Sequence, residues 1–418
     1  MGRQQSVDSL VEHLFRNEAG KLVAVLTRIF GPSNIDLAED VVQETLLAAL
    51  DNWAPGKIPD NPAAWLTQVA KRKSLNVVKQ LKTVQSHRKD LYAADSNYDE
   101  ASEIFLDSEI QDSQLRMIFT CCHPSLPMES QIALTLKILG GFSIKEIAQA
   151  LMSNEETITK RLYRAKAKIR SDEIPFDIPS GNKLELRLKG VCLSLYLLFN
   201  EGYNSSHPQM FIRKDLCLEA IRLTFLLTQH FDGRAEFYAL LALMCFHAAR
   251  LDARLDREGA IVIFEDQDRS LWNQELISKG FNYLREASKG DRLSEYHLEA
   301  GIAAEHCMAK DFKETNWQSI YDQYELLYGL KKNPIIKLNM AIISSQLEGI
   351  PKAIHALEEL ISDKELETYY FLYATLGIFN LKIKDYEKAG GYLIHAKSLT
   401  SSEKEQQFLN KRILECQI

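Results

Sequence analysis

Apolar residues recur every three or four positions along most of the chain, which is the spacing of amphipathic helices. At the start of the sequence this pattern predicts three helices, over residues 7–30, 34–53 and 62–82. Turn-forming residues separate them, at "GPSN" and at "APGKIPDNP". The alternation of apolar and polar residues that marks half-buried strands is rare, so the sequence predicts an all-α protein.

The second and third predicted helices differ in the charge of their exposed sides. The apolar stripe of the second consists of Val41, Thr45, Leu46, Ala49 and Leu50. Outside this stripe lie the acidic residues Asp36, Glu39, Asp40, Glu44 and Asp51. The third helix places Trp65 ahead of Lys71, Arg72 and Lys73. An aromatic ring followed by cations is typical of surfaces that bind single-stranded nucleic acid, although a tryptophan in an apolar helix is more often a core residue.

A helix-turn-helix is predicted after an acidic segment. Residues 90–112 are acidic and lose their periodicity, which is typical of a linker. Farther along, Ser143 and Glu146 predict a capping box at the start of one helix. The turn at residues 152–154 follows, and Ser153 with Glu156 predicts a second capping box. Two short helices joined by about three turn residues form a helix-turn-helix.

The second helix of this motif has a cationic exposed side. Its candidate DNA-binding residues are Thr157, Lys160, Arg161, Arg164 and Lys168. Residues near the start of such a helix reach base edges, whereas Arg164 and Lys168 are better placed for phosphates. The net charge of −7 does not exclude a DNA contact, because charges more than about 8–10 Å away are largely screened.

Beyond residue 175 the pattern predicts helix after helix to the end of the chain. Near the carboxyl terminus, Ala353 with Ala389 and Leu357 with Leu393 correspond at a spacing of 36 residues. This spacing is close to the tetratricopeptide repeat of about 34 residues. It predicts stacked antiparallel helix pairs over residues 331–418.

The sequence predicts neither an enzyme nor a cofactor or metal protein. No nucleophile with a base, phosphate loop or complete metal-ligand spacing is present. Cys121, Cys122 and His123 permit a zinc hypothesis, but small buried side chains are the better interpretation of the two thiols. The acidic residues in "FEDQD" also permit a metal-site hypothesis, but a solvated turn or a helix cap is the better interpretation. Glu201 and Tyr203 are better interpreted as packing residues than as catalytic ones. The acidic residues in question are Glu265, Asp266 and Asp268.

Cysteine usage and hydropathy restrict the compartment. Seven cysteines follow no disulfide framework, which indicates a protein of the reducing cytoplasm. No apolar run approaches the roughly 20 residues of a membrane span, so no membrane partner is expected.

The order of these parts resembles a bacterial sigma factor of the extracytoplasmic-function group. The matching segments are "DLAEDVVQETLLAALDNW", "NPAAWLTQVAKRKSLN", the acidic linker and "RLYRAKAKIR". The segments "FTCCHPSLP", "LLFNEGY" and "FEDQDRSLWN" resemble the long members of that group, which carry a helical, tetratricopeptide-like extension. The resemblance implies a region-two domain over 1–89, a linker over 90–112 and a region-four domain over 113–175. It also implies a helical extension over 176–330, before repeats over 331–418.

This resemblance assigns partners to the charged helices. It implies that the acidic helix binds core RNA polymerase through Asp36, Asp40, Gln43 and Glu44. It implies promoter binding at the minus-10 element through Trp65, Lys71, Arg72, Lys73 and Asn76. The helix-turn-helix would then bind the minus-35 element of the same promoter DNA. For the extension, the hypothesis is a regulatory domain that binds a protein or peptide, or that packs on the promoter-binding domains.

Two other functions fit parts of the sequence. A helix-turn-helix transcriptional regulator with a helical sensor scaffold would bind its operator tightly without polymerase. A purely protein-binding helical scaffold would show no salt-dependent affinity for DNA. The acidic helix followed by a helix with tryptophan and cations favours the sigma factor, because an ordinary regulator has no use for a DNA-melting surface.

Overall fold

The computed structural model describes residues 2–53, 58–86, 104–207 and 210–417. Within these ranges the regular structure is helical, apart from one antiparallel bridge between Leu255 and Ile261. The all-α prediction is therefore confirmed. The chain divides into two compact units, Met1–Leu198 and Phe199–Ile418, which we call unit 1 and unit 2. None of the described helices combines the length and the hydropathy that crossing a membrane requires.

Unit 1 is built from eight of the described helices, the last of which continues into unit 2. They are α1 (Gly2–Phe30), α2 (Ile35–Asn52), α3 (Pro62–Ser86), α4 (Asp107–Cys121), α5 (Met128–Ile138), α6 (Ile144–Ala150), α7 (Glu155–Ser171) and α8 (Asn182–Tyr203). The first three agree with the helices that the apolar spacing predicts. At the start of α3, Asn61 Oδ1 accepts a hydrogen bond from Ala64 N at 3.0 Å, as a capping residue does.

The predicted acidic linker extends too far toward the carboxyl terminus. Most of residues 90–112 lie outside the described ranges, but residues 107–112 belong to α4. Asp107 and Glu109 lie in the first turn of this helix. Carboxylates there are favoured by the positive end of the helix dipole, so an acidic run that looks like a linker in the sequence starts a helix instead.

Helix α1 forms the centre of unit 1. Residues 22–27 are all buried in succession, as expected of a helix that is covered on every side. Helices α2 and α3 pack on one part of its surface, and α4 and α5 on another. At Gly20 the approach is so close that an added Cβ would lie 2.7 Å from the carbonyl oxygen of Leu139. The predicted region-two and region-four segments thus share one core.

Helix α8 packs within unit 1 over most of its length. Val191, Leu195 and Leu198 are buried, and a Cβ at Gly190 would meet Gln131 and Cys122. Arg187 Nη1 donates a hydrogen bond to the carbonyl oxygen of Phe119 at 3.2 Å. Unit 1 therefore ends well after residue 175, where the sequence predicts the end of the region-four domain.

Unit 2 continues with ten further described helices. They are α9 (Lys214–His230), α10 (Ala235–Ala249), α11 (Gln274–Ala287), α12 (Glu295–Met308), α13 (Trp317–Leu330), α14 (Pro334–Leu347), α15 (Ile350–Glu359), α16 (Tyr370–Lys382), α17 (Tyr386–Leu399) and α18 (Glu403–Glu415). Helix α10 is buried nearly all round. Gly280 of α11 approaches it so closely that a Cβ would lie 2.6 Å from the ring of Phe246.

The helices at the carboxyl terminus follow the spacing found in the sequence. Ala353 and Leu357 of α15, like Ala389 and Leu393 of α17, are fully buried in one apolar core. Equivalent positions in two successive helix pairs thus have equivalent surroundings. The tetratricopeptide-like assignment and its exact boundaries stay predictions.

Candidate nucleic-acid and polymerase interfaces

The helix-turn-helix consists of α6 and α7, and one of its two predicted caps is confirmed. Ser143 Oγ accepts from Glu146 N at 3.2 Å, and Glu146 Oε2 accepts from Ser143 N at 2.7 Å. The capping box predicted at Ser153 is wrong. Instead, Asn154 Oδ1 accepts from Thr157 N at 2.8 Å. The backbone N–H of Ser153 donates back to Ala148 O, so the new helix starts one residue later than predicted.

The predicted apolar faces hold the two helices together. Ile147 and Ala148 of α6 are buried, as are Ile158, Leu162 and Ile169 of α7. The turn between them places Met152 at a φ of 46° and leaves this side chain 97% exposed. The core thereby fixes which side of α7 faces away from the unit.

Two of the five predicted DNA-binding residues are exposed, and the other three are half-buried. Lys160 and Arg164 are exposed, while Thr157, Arg161 and Lys168 are partly covered. Lys160 pairs with Glu156 at 2.5 Å, and Lys168 pairs with Asp172 at 2.7 Å. Both pairs join neighbours one turn apart on an exposed surface. Such pairs contribute little to stability, so both cations remain available to bind DNA.

Tyr163, which the sequence analysis did not select, lies among these cations with 75% of its surface exposed. An exposed aromatic ring next to Lys160 and Arg164 suits contact with a sugar or base. The sequence could have indicated Tyr163, because it lies three residues after Lys160 on the side of the helix away from the apolar stripe.

The opposite edge of α7 is bound to α2. Lys166 Nζ lies 2.8 Å from Asp36 Oδ1 and also pairs with Glu39. Arg170 Nη2 lies 3.3 Å from Asp36 Oδ2, and its Nε donates to the carbonyl oxygen of Ser33 at 3.1 Å. The helix-turn-helix is thus joined by ion pairs to the helix that the sequence predicts to bind polymerase.

The pair around Lys166 is partly buried. Burial alone would lower the pKa of Lys166, but the carboxylates of Glu39 and Asp36 together outweigh it and raise the pKa above its usual value. A lysine with a raised pKa is charged at neutral pH, so this contact persists under physiological conditions. A second ion pair links the two parts of unit 1 elsewhere, because Arg16 Nη1 of α1 lies 3.0 Å from Glu146 Oε1 of α6.

The exposed face of α2 contains all four predicted polymerase-binding residues, together with two leucines. Asp36, Asp40, Gln43 and Glu44 are exposed. Leu47 and Leu50, which continue the same side of the helix, are 59% and 57% exposed. The sequence analysis placed Leu50 in the buried stripe, and that prediction is wrong, because the core contacts of α2 extend only to Ala49. An exposed apolar pair beside carboxylates is typical of a protein-binding surface.

The predicted minus-10 residues of α3 form two groups that differ in exposure. Arg72 and Asn76 are exposed one turn apart. Trp65 is half-buried, with its ring edge-on to Trp53 at a centroid distance of 5.3 Å. Lys71 and Lys73 are also half-buried, and Lys73 Nζ lies 2.8 Å from Glu44 Oε2 of α2.

Most of the residues considered for metal binding or catalysis are buried or are held by neighbouring groups of the protein. Cys121 and Cys122 are both buried, and burial raises the pKa of Cys122 to about 11. Asp268 Oδ1 accepts from Ser270 N at 2.9 Å as a helix cap, and Glu265 pairs with Lys382. Glu201 accepts hydrogen bonds from the hydroxyl groups of the two serines that follow the helix. No group of three potential metal ligands occurs within the part of the chain that the structure describes.

Three protein-family models match successive parts of the chain. The model of sigma-70 region 2 matches residues 14–83, and that of sigma-70, region 4 matches residues 116–169. Residues 187–288 match a family of unknown function, DUF6596. The first two matches cover the segments that contain α2 and α3 and the helix-turn-helix, respectively.

Curated proteins from three organisms resemble the chain. An uncharacterised protein of Rhizobium meliloti is 35% identical, over 82% of this chain and 81% of that protein. The ECF RNA polymerase sigma factor SigK of Mycobacterium ulcerans is 26% identical, over 41% of this chain and 95% of its own length. The ECF RNA polymerase sigma-E factor of Haemophilus influenzae is 29% identical, over 36% of this chain and 80% of its own length.

Proposed function

The chain belongs to the extracytoplasmic-function sigma factors, with an added carboxyl-terminal extension, and on that basis we propose which of its surfaces bind promoter DNA and polymerase. As a sigma factor it directs transcription initiation. Such proteins act with core RNA polymerase on promoter DNA and are not themselves enzymes.

The exposed side of α7 is the proposed minus-35 surface. Thr157, Lys160 and Arg161 near the start of the helix would contact base edges, and Arg164 and Lys168 would contact phosphates. The observation that carries this assignment is the cation pattern on the side of α7 opposite its buried stripe. In α3, the exposed Arg72 and Asn76 would contact the minus-10 element directly. The half-buried Trp65, Lys71 and Lys73 would shape that surface.

The exposed face of α2 is the proposed polymerase surface. Asp36, Asp40, Gln43 and Glu44 would supply polar contacts, and Leu47 and Leu50 would add buried apolar area on binding. A pull-down with core polymerase, followed by transcription from a library of random promoters, tests these assignments together. Variants of α2 should lose the polymerase, whereas variants of α7 should keep it and change the selected promoters.

The contact between α7 and α2 defines what we call the closed form of unit 1, in which the helix-turn-helix packs against the acidic helix. The minus-35 and minus-10 elements lie about 25 base pairs apart, which is roughly 85 Å of duplex at about 3.4 Å per base pair. In unit 1, α7 and α3 both form ion pairs with α2, a single helix whose diameter with side chains is about 10–12 Å. Both elements can be bound at once only if the region-four part moves away from the region-two part.

This closed form also occupies part of the proposed polymerase surface. Asp36 is paired with Lys166 and Arg170, so polymerase must compete with α7 for this carboxylate. The contact therefore restrains the sigma factor until polymerase binds.

We expect Lys166→Ala to bind core polymerase more tightly than the wild-type protein. Removing the lysine frees Glu39 and leaves Asp36 with Arg170 as its remaining partner on α7. A pair of this exposure stabilises by about 1 kcal/mol, which corresponds to roughly fivefold in affinity. Titration of labelled protein with core polymerase, without DNA, measures the change. Lys160→Ala is the matched control, because it removes a cation of the same helix whose partner lies within that helix. Equal affinities of the wild-type protein and Lys166→Ala would refute the restraint.

The extension is the second proposed element of control. Unit 2 has apolar clusters of its own, and the two sigma-70 family models match only residues before it. We assign it a regulatory role, through a protein or peptide partner or through unit 1.

A further inference from the structure

Two sequence segments that the sigma-factor function leaves unexplained, "LLFNEGY" and "FEDQDRSLWN", contribute to one cluster of arginines and aromatic rings in unit 2. Arg254 stacks on Tyr203 of the first segment, with Cζ 3.9 Å from the ring centroid. Arg250 stacks on Phe264 of the second segment at 4.0 Å. Arg269 lies 4.8 Å from the ring of Trp272. We call the set the arginine cluster, and its members are His247, Arg250, Arg254, Arg269, Trp272 and His306.

The positive charge of the arginine cluster is only partly balanced, because the carboxylate of Asp311 acts on Arg269 without forming an ion pair with it. None of its three guanidinium groups forms an ion pair with Asp or Glu in the described part of the chain. Arg254 is 9% exposed, and burial lowers the pKa of both Arg250 and Arg269. Aromatic faces offset part of the cost of desolvating a cation, but buried charges are otherwise paired in proteins. The cluster therefore has the electrostatics of a site for an anion.

Three buried polar atoms of the cluster also lack a partner among the described residues. They are Trp272 Nε1, His247 Nδ1 and His306 Nδ1. Trp272 is only 4% exposed, and its indole N–H can only donate. Burial, reinforced by the neighbouring arginines, lowers the pKa of His247 and of His306 to about 3. Both imidazoles are therefore neutral at pH 7, and the unpartnered Nδ1 of each donates in one tautomer and accepts in the other.

Arg250 differs from the other two arginines in what its side chain binds. Arg254 donates to the carbonyl oxygen of Tyr203, and Arg269 Nη1 lies 2.6 Å from the carbonyl oxygens of His306 and Ala309. These two guanidinium groups connect loops to helices. Arg250 donates only its Nε, to Gln267 Oε1 at 3.2 Å. Its two Nη groups have no protein acceptor within the described residues, and the side chain is half-buried rather than closed off from solvent.

We propose that unit 2 binds a small organic oxyanion, through a carboxylate or phosphate group held by the two Nη groups of Arg250. This fork matches the two oxygens of such a group. The indole N–H of Trp272 and the imidazoles of His247 and His306 supply neutral donors beside it. The ring of Phe264, stacked on Arg250, adds a flat apolar surface for the rest of the ligand.

The acidic residues of the same segment do not oppose this assignment. Glu265 is neutralised by its pair with Lys382. The carboxylate of Asp268 is held by the backbone N–H of Ser270, as a cap of the short helix that follows. Neither carboxylate pairs with an arginine of the cluster, so neither competes with a ligand for the Nη groups of Arg250.

Thermal unfolding of the full chain tests the site. Inorganic phosphate and succinate serve as separate probes for the two oxyanions, each compared with sodium chloride at the same ionic strength. We expect at least one of them to raise the Tm of the wild-type protein by about 3 °C at ten times its Kd. The response of phosphate against that of succinate distinguishes a phosphate from a carboxylate ligand. This measurement needs neither polymerase nor promoter, so it does not depend on the proposed promoter contacts.

Variants of the cluster locate the binding. Arg250→Gln should weaken the binding of the stabilising anion at least tenfold, and Arg250→Lys should fall between it and the wild-type protein, because lysine keeps the charge but loses the fork. Trp272→Phe keeps the packed ring while removing the N–H, and it should weaken binding without unfolding the protein. Arg285→Gln, which removes an exposed arginine of α11, is the matched control. The proposal fails if chloride stabilises equally, if neither anion binds, or if Arg250→Gln binds as tightly as the control.

Discussion

A chain that ends at residue 180 should fail to fold stably, whereas one that ends at residue 204 should keep unit 1 intact. The shorter chain lacks α8, which contributes Leu184, Leu188, Val191, Leu195 and Leu198 to the core of unit 1. At about 1.5–3 kcal/mol for each large apolar side chain, an upper estimate for this loss is roughly 7–15 kcal/mol. That range matches the whole stability of an ordinary domain, about 5–15 kcal/mol.

Urea unfolding followed by circular dichroism measures this difference. The chain that ends at residue 204 serves as the matched control, because it lacks nearly all of unit 2 but retains α8. A cooperative transition of similar midpoint in both chains would contradict the place we give α8. A chain cut at the boundary predicted from the sequence would thus confuse loss of regulation with loss of folding.

The longer truncation also tests the proposed role of unit 2. If the extension restrains or enables the sigma factor, the rate of transcription from a cognate promoter should differ between the full chain and the chain that ends at residue 204. The comparison is made with equal amounts of core polymerase, so that only the extension differs. Unchanged rates, together with unchanged control in the cell, would reject a regulatory role.

Replacing Lys160, Arg164 and Lys168 together with alanine should weaken promoter binding by the polymerase holoenzyme by about two to three orders of magnitude at 0.1 M salt. Each lost phosphate contact removes about 0.9 from the slope of log affinity against log salt, so the loss of Arg164 and Lys168 should lower the slope by roughly 1.8. The loss of Lys160 removes a base contact and weakens binding further. Binding to fragments with a minus-35 element, measured between 50 and 200 mM salt, gives both numbers.

A triple variant of cations in α11 and just beyond its end is the control for this experiment. Lys279, Arg285 and Lys289 are exposed cations of unit 2, so replacing them changes the net charge by the same amount without touching α7. If the two triple variants lose the same affinity, the effect comes from the overall charge and not from a contact of α7. An unchanged salt slope in the α7 variant would show that other residues contact the phosphates.

The helical elements and their charges could be predicted because they depend on neighbours along the chain. The capping box at Ser143 and the buried stripe of α7 follow from spacings of three and four residues. The error at Ser153 also arose from local sequence, because the adjacent residues Ser153 and Asn154 are both good caps. Only the backbone of the turn, with Met152 at a positive φ, selects between them.

Contacts between distant segments could not be predicted in the same way. A helical period shows which face of α2 is polar, but not that Leu50 lies beyond the core or that Asp36 meets Lys166, 130 positions away. Likewise, the sequence places Trp65 in an apolar helix without revealing that Trp53 packs against its ring. Each of these outcomes depends on how the helices pack.

The sequence by itself determined an all-α chain, a helix-turn-helix with a cationic side and an acidic helix ahead of it, because helix periodicity, caps and charge are written in local spacing. Tertiary structure alone decided which cations of α7 remain exposed and which pair with α2. It also decided that α8 completes the core of unit 1, and that the two Nη groups of Arg250 lie among aromatic rings without an acceptor from the described part of the chain. The physical reason is that burial and ion pairing depend on which surfaces meet in space, and the order of residues along one helix does not specify the helix that will cover it.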